Sequence, residues 1–322
     1  MVNWYPIKFT PILKEKIWGG TKLNTVLGKD SQQEDIGESW EISSVKNNES
    51  IVVNGEFNGK TLKELIKKYK EELVGNAVYK TFKNNFPLLI KFIDAKTDLS
   101  VQLHPNDILA KKRHNSYGKT EMWYIMQAEE SSRLILGFNN GITPSDYQKH
   151  LKEKTLPSIL NEVKVNEGDT FFIPTGTIHA IGKGVMLAEI QQTSDITYRV
   201  YDWDRKQADG KSRTLHKREA LEAINFGFKG EKMVYDKVEN KSNPLVSCNY
   251  FTTNYLHVTS SQEINNKDKD SFVIYMCIEG SATLNGYEFE ETIKFGETIL
   301  IPASLKQFDI ITENVKLLEV FI

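Results

Sequence analysis

Gly168-Asp-Thr-Phe-Phe-Ile-Pro174-Thr-Gly176-Thr-Ile-His179 is the stretch on which the rest of the chain turns. Thr170 to Ile173 is an aromatic and β-branched run of the length of a buried strand. Pro174 ends it, because proline has no N–H to give a sheet ladder. Gly176 permits a turn that other residues resist, and the chain leaves through Thr177, Ile178 and His179 on a second strand. The pattern predicts a tight corner that aims one imidazole at a fixed point.

The corner recurs in worn form near the C-terminus. Gly296-Glu-Thr-Ile-Leu-Ile-Pro302 repeats the first glycine, the five residues and the proline, but Ser304 stands where the second glycine would be and Gln307 where the histidine would be. Such repetition predicts a duplicated fold with one working site, against the alternative of two unrelated hairpins. Between the copies, the polar run from Glu231 to Asn243, ending at Pro244, is the best boundary. We therefore expect a catalytic, metal-binding unit over 1–238 and a degenerate one over 239–322.

Upstream of the first corner lie Gln102-Leu-His104-Pro and Lys119-Thr-Glu121-Met-Trp. Gln102 and His104 share one face of a strand, and Glu121 shares a face with Trp123 and Ile125. Polar groups facing a core cost free energy unless something satisfies them. With His179 they form a set of two imidazoles, one carboxylate and one amide oxygen, suited to zinc and tolerable for other divalent metals. Each alone reads as a hydrogen-bonded structural residue; together they predict one metal centre. His114, in a lysine- and arginine-rich loop, His150 on a helix and His216 near a helix start are expected at the surface, and His257 should face away from its core.

Strands dominate, with helices between them. Thr61-Leu-Lys-Glu64 starts a helix whose face is Leu62, Leu65, Ile66 and Tyr69. Further helical patterns run over 144–160 and 215–224. Leu88 to Ile93 is a buried strand broken by one charge, Lys91, and residues 187–203 hold two more strands. The 322 residues carry 41 lysines and arginines against 43 acidic residues, so no basic excess argues for nucleic acid or a membrane surface. Two cysteines make a disulfide framework improbable, no apolar run reaches the roughly 18 residues of a membrane span, and no signal peptide is evident. The expectation is a cytoplasmic protein without nucleic-acid or membrane partners; protein partners are not specified.

The glycine–proline–glycine–histidine spacing is similar to the second motif of the cupins, jelly-roll barrels with a metal in the mouth; Lys183 stands where an asparagine often follows. Gln102-Leu-His104-Pro-Asn, Lys119-Thr-Glu121-Met-Trp, His179-Ala and the segment Glu189 to Arg199 resemble the active-site segments of type I mannose-6-phosphate isomerases, in their short bacterial form. The similarity extends from Trp18-Gly-Gly and Gly37-Glu-Ser-Trp-Glu to Tyr198-Arg-Val-Tyr-Asp. It implies a mainly β chain of two cupin barrels with helical insertions attached to the first. It also implies one zinc on Gln102, His104, Glu121 and His179, a catalytic Arg199, and a sugar phosphate as substrate.

An aldose–ketose isomerisation suits these residues. A metal with one carboxylate and three neutral ligands keeps about one net positive charge and favours an anion forming on the substrate. Glu189 is the preferred base, or the relay for the hydroxyl proton; its structural alternative is to pair with a buried cation such as Lys91. Arg199 can meet a phosphate or a developing oxyanion, unless it merely bridges to Asp195 or Asp202. No P-loop is present, so Lys119, with Ser100 as second candidate, is expected near the phosphate. The resemblance adds Lys91, Trp18 and Glu38 to the pocket. Two other readings stay open: a sugar-binding cupin without turnover, and an iron-dependent cupin oxygenase.

Overall fold

The computed structural model describes residues 2–207 and 209–322, and the chain is mainly β. One sheet of seven strands runs in the order Glu231–Met233, Thr170–Ile173, Glu121–Ala128, Val185–Gln192, Leu88–Asp94, Ile36–Ile42 and Ile12–Gly20. A sheet of five runs Leu160–Lys164, Arg133–Phe138, His179–Ile181, Val101–Leu103 and Tyr198–Tyr201. Their facing surfaces bury Trp123, Ile125, Phe171, Ile173 and Leu187 from the first against Leu134, Leu136 and Ile181 from the second.

Both sheets are covered on the outside as well, which explains why their strands are apolar on alternate residues in both phases. Behind the seven-stranded sheet, Ile90, Phe92, Met122, Ala188 and Ile190 pack with Leu62, Leu65 and Ile66 of a helix and with Ile274, Met276 and Leu318 of the C-terminal region. Behind the five-stranded sheet, Val101, Leu103, Tyr198 and Val200 pack under Tyr147, Leu156 and Ala220. The C-terminal region forms a nine-stranded sheet built on the long strand Val273–Gly286, with its own core of Tyr275, Cys277, Ile299, Phe308 and Leu317. The short strand Ile7–Lys8 pairs with Thr298–Ile301 there, so the beginning of the chain is stitched to its end.

The two corners are built alike. Gly168, Gly176 and Gly296 all have φ of +82°, a region costly for residues with a Cβ. Gly168 N–H donates to Ile125 O (2.8 Å) and Ile125 N–H to Asp169 O (2.9 Å); Gly296 N–H donates to Cys277 O (2.9 Å) and Cys277 N–H to Glu297 O (2.9 Å).

Local expectations fare unevenly. Thr61 and Glu64 form a reciprocal capping box on the helix Leu62–Tyr69. The 144–160 pattern is a helix over Pro144–Lys152 followed by a 3-10 turn over Leu156–Ile159, and the third helix spans Lys217–Ala223. The helices Asn76–Phe82 and Asp107–His114 were not foreseen, and the second moves His114 from a loop to a helix end. In the polar run, Glu231–Met233 is an edge strand of the seven-stranded sheet, while Pro244 lies within the strand Ser242–Ser247, beside a register shift that accommodates a residue without an N–H.

Candidate metal centre and cavity

Neighbouring strands assemble the site row by row. On the five-stranded sheet His179 lies opposite Gln102, and Gln102 lies opposite Arg199 on its other side. On the seven-stranded sheet Glu121 pairs with Gln191, Trp123 with Glu189, Glu189 with Lys91 and Lys91 with Trp40. His104, just past its strand, hangs from the turn that Gly176 grips by donating its N–H to His104 O (2.9 Å). A Cβ on Gly176 would sit 2.7 Å from Ala223 O, so glycine is required there for space as well as for φ.

His104, Glu121 and His179 converge, each offering a ligand atom within 4.8 Å of the others, and all three are buried. His179 Nε2 lies 3.3 Å from Glu121 Oε1, and His104 Nε2 3.6 Å from Glu121 Oε2. Each imidazole is held by its other nitrogen: His104 Nδ1 is 2.7 Å from Ile196 O and His179 Nδ1 is 2.9 Å from Thr177 O. A carbonyl accepts only, so both Nδ1 atoms carry the proton and both Nε2 lone pairs point inward, as metal-binding histidines are oriented. Burial, reinforced by the Lys119 charge, holds both rings neutral, with His179 lowered to about 4. Burial also raises the Glu121 carboxyl to about 7, against the pull of Lys119. His179 Nε2 and Glu121 Oε1 have no hydrogen-bond partner among the described residues, although both are buried. Orphaned acceptors facing one point are what a cation would satisfy, so the donor set fits a divalent metal.

Lys119 borders the same cluster. Its ammonium is 3.0 Å from His104 Nε2, contacts Glu121 Oε2, and is 3.8 Å from Glu189 Oε1. It therefore lies beside the candidate ligands and also reaches the cavity wall. Lys91 is likewise buried rather than reaching solvent, 2.9 Å from Glu189 Oε2. Burial alone would raise the Glu189 carboxyl, but Lys119, Lys91 and a 2.9 Å bond from Trp123 Nε1 hold it at about 2. The structural alternative for Glu189, a partner for Lys91, is therefore realised, and the residue also lines the cavity.

That cavity, of about 360 Å³, lies between the two sheets; Trp18, Glu38, Lys91, Ser100, Gln102, Lys119, His179, Glu189 and Arg199 all reach its wall. His104 and Glu121 lie behind it. Arg199 Nε donates to Ser100 Oγ (3.2 Å), which donates to Gln102 Oε1 (3.2 Å). Arg199 does not bridge to Asp195 or Asp202; its Nη1 donates to Thr214 O (3.1 Å), and Asp202 is taken by Arg205 and Arg213. Glu38 accepts from Trp40 Nε1 (2.7 Å) and lies 3.5 Å from Lys16. His216 is half-buried rather than free at the surface: its Nδ1 accepts the Arg199 N–H (3.2 Å) and its own N–H donates to Arg199 O (2.7 Å). Sequence reasoning passed over Trp40, which shares a strand face with Glu38 and so carried a signal. It also passed over Arg213, which sits in an aperiodic basic loop and carried none.

Residues 7–130 match the family model "Phosphomannose isomerase type I, catalytic domain", and residues 241–322 match "Mannose-6-phosphate isomerase, cupin domain". The chain is 36% identical to mannose-6-phosphate isomerase ManA of Bacillus subtilis, over 94% of this chain and 95% of that one. It is 33% identical to a mannose-6-phosphate isomerase of Streptococcus mutans, over 94% and 95% of the two chains. Among solved structures it is similar to the mannose 6-phosphate isomerase of Bacillus subtilis, with TM-score 0.89, 33% identity and 98% and 99% of the two chains covered.

Proposed function

Because the chain belongs to the type I phosphomannose isomerase family, we propose that the buried cluster and the cavity over it carry out this family's reaction in this protein. It is an enzyme that interconverts mannose 6-phosphate and fructose 6-phosphate. The observation that carries the site assignment is the convergence of His104, Glu121 and His179, with His179 Nε2 and Glu121 Oε1 unpaired among the described residues, next to a cavity lined by Gln102, Glu189 and Arg199.

Isomerisation takes the proton from C2 of the open-chain aldose, passes through an enediolate, and returns a proton at C1, while a hydroxyl proton moves from O2 to O1. Atoms balance without an oxidant. Gln102, His104, Glu121 and His179 are the residues that would hold a divalent metal, and zinc fits two imidazoles, a carboxylate and an amide oxygen. When bound, the metal supplies Lewis acidity toward the sugar's carbonyl and hydroxyl oxygens. Glu189 stays ionised between Lys91 and Lys119, so it is suited to accept a substrate hydroxyl and to take up its proton as charge moves to the other oxygen. Arg199, fixed through Ser100 and Thr214, offers a guanidinium from the opposite sheet to the negative charge of the substrate. Trp18 walls the sugar, and Glu38 accepts from its hydroxyls.

In the same reading, the seven- and five-stranded sheets form one jelly-roll unit and the nine-stranded sheet a second without a site, divided near residue 238. Among the described residues no helix is long and apolar enough to cross a membrane, which agrees with a cytoplasmic enzyme. The test is a coupled assay on mannose 6-phosphate before chelation, after it, and after zinc return, with metal analysis of the purified protein. Turnover lost on chelation and restored by zinc is expected; tight sugar binding without turnover, or oxygen uptake with iron, would replace this reading.

A further inference from the structure

The cavity has six cations in its wall: Lys14, Lys16, Lys91, Lys119, Arg199 and Arg213. A dianionic phosphate needs cations whose charge is not already cancelled, because a carboxylate in direct contact both neutralises and occupies its partner. Lys91 and Lys119 are spent on Glu189 and Glu121 in the floor, and Lys16 faces Glu38. Arg199 has no carboxylate within ion-pair distance among the described residues.

Arg213 differs in kind. Its Nε donates to Asp202 Oδ2 (2.8 Å) and its Nη2 to Asp202 Oδ1 (2.5 Å), a two-point seat that leaves Nη1 without a partner among the described residues. Arg205 Nη2 donates to the same Oδ1 (2.7 Å), so one buried carboxylate is shared by two guanidiniums. The arginines that line the cavity are also mechanically joined, since Arg199 Nη1 donates to the carbonyl of Thr214, the neighbour of Arg213. Burial and the charge of Arg213 both lower the Arg199 guanidinium, with Asp202 opposing them.

We infer that Arg213, seated by Asp202, clamps the substrate's phosphate together with Arg199. The assignment rests on the isomerase reading. It deepens that reading by moving the phosphate away from Lys119 and Lys91. It also fits the substrate, in which the phosphate is at the far end of a six-carbon chain from the reacting carbons. A planar guanidinium gripped at one edge presents its other edge to phosphate oxygens with little further loss of freedom. Asp202 is then a positioning residue, acting through Arg213. The rival is Lys14, whose ammonium lies 4.9 Å over the Trp40 ring and, among the described residues, bonds only to an amide, Asn48 Oδ1.

The test compares Arg213→Met, Arg213→Lys, Asp202→Asn and Lys14→Met in the metal-loaded protein. It measures KM and kcat for mannose 6-phosphate, the inhibition constant of inorganic phosphate, metal content and the urea midpoint. Arg213→Met should raise KM and the phosphate inhibition constant together by about 30- to 100-fold, with a smaller fall in kcat and unchanged metal content. Arg213→Lys should recover part of this, and Asp202→Asn should raise both constants by about 5- to 10-fold. A parallel loss in Lys14→Met with none in Arg213→Met overturns the proposal, as does a fall in kcat alone. An urea midpoint lowered in Arg213→Met but held in Arg213→Lys makes the lysine variant decisive. Should the wild-type protein fail to turn over the sugar, calorimetry with inorganic phosphate still tests the clamp, separating its failure from that of the isomerase reading.

Discussion

The two corners of this chain are the same piece of backbone carrying different chemistry. The hydrogen bonds that clamp Gly168 and Asp169 to Ile125 have counterparts clamping Gly296 and Glu297 to Cys277, which sets the two regions in register. Ile173 pairs with Glu121 as Ile301 pairs with Val273, and His179 pairs with Gln102 as Gln307 pairs with Asn265. Counting on from these pairs, the four proposed ligands Gln102, His104, Glu121 and His179 correspond to Asn265, Lys267, Val273 and Gln307. Every ligand has been exchanged, while the glycine with φ of +82° has not. The turn is a requirement of the fold, and the imidazole is a requirement of the site.

The register shows one more counterpart. Glu189 lies opposite Trp123, which bonds its carboxylate; Glu319 lies opposite Tyr275, whose hydroxyl donates to Glu319 Oε1 (3.2 Å). Both carboxylates are buried. Glu319 is fully engaged, by Lys269 (2.7 Å), Ser242 (2.6 Å) and Asn254 (2.9 Å), and it does not line the cavity between the sheets. Glu189 has its cations at a cavity wall instead. The same position thus serves stability in one region and, in our reading, chemistry in the other.

The largest effect that could break this contrast comes from His179→Gln, which gives the first corner the residue of the second. Because Gln307 is tolerated in the same turn, the fold should persist. Metal content should fall, and kcat/KM should drop by more than about 100-fold, beyond the roughly 10–100-fold that changes behind a ligand cost. Metal analysis with the coupled assay checks this; an active, metal-loaded variant would remove His179 from the ligand set.

Next in size is the pair of glutamates. Glu189→Gln should lower kcat by about 100-fold or more and, because it strands the buried Lys91, should also cost about 3–5 kcal/mol in urea unfolding. Glu319→Gln should leave kcat alone and cost about 2 kcal/mol, less than the roughly 3–5 of a fully buried pair because Lys269 reaches solvent. Burial would raise the Glu319 carboxyl, but Lys269 and its hydrogen bonds hold it below the usual value. Its stabilisation is therefore complete above the unfolded carboxyl value of about 4.3 and is lost as pH falls through the lower native value. Urea unfolding between pH 7 and 3 should show a flatter acid limb in Glu319→Gln than in the parent protein.

The glycines sharpen the comparison by a smaller margin. Gly168→Ala and Gly296→Ala each take on the left-handed cost of about 1–2 kcal/mol. A Cβ at Gly168 meets at its nearest the flexible end of Lys237 at 3.3 Å, whereas at Gly296 it lies 2.8 Å from Leu27 Cβ and 2.9 Å from Leu27 O. Gly296→Ala should therefore be worse by about 1 kcal/mol in urea unfolding, and equal midpoints would mean that the Leu27 backbone yields freely.

Much of this was legible beforehand. Period-two alternation placed Gln102 beside His104 and Glu121 beside Trp123 on single faces, and the corner spacing placed His179. What alternation cannot give is the partner across the space between sheets. Lys119 shares a chain segment with Glu121, so nothing in the sequence says that its ammonium turns back onto the ligands. Arg213 lies in a loop without period, and its value depends on Asp202, eleven residues earlier. The kinship of Glu319 with Glu189 is invisible as letters, because the intervening loops differ in length and only the hydrogen-bond register aligns them.

The smallest expected effect is the most discriminating for the idea of a worn copy. Gln307→His restores the histidine to the second corner, and if that residue alone had been lost, a second metal should bind. The register says otherwise. Opposite Ile301, where the first region has Glu121, stands Val273, which offers no ligand atom, and Lys267 brings a positive charge to the position of His104. One imidazole without a carboxylate cannot offset the desolvation of a divalent cation. Metal content should stay at the parent's value per chain and activity should not change. A second equivalent of metal in Gln307→His would mean that the C-terminal region kept a cation site after its proposed ligands were exchanged, and that the register drawn here does not map one site onto the other.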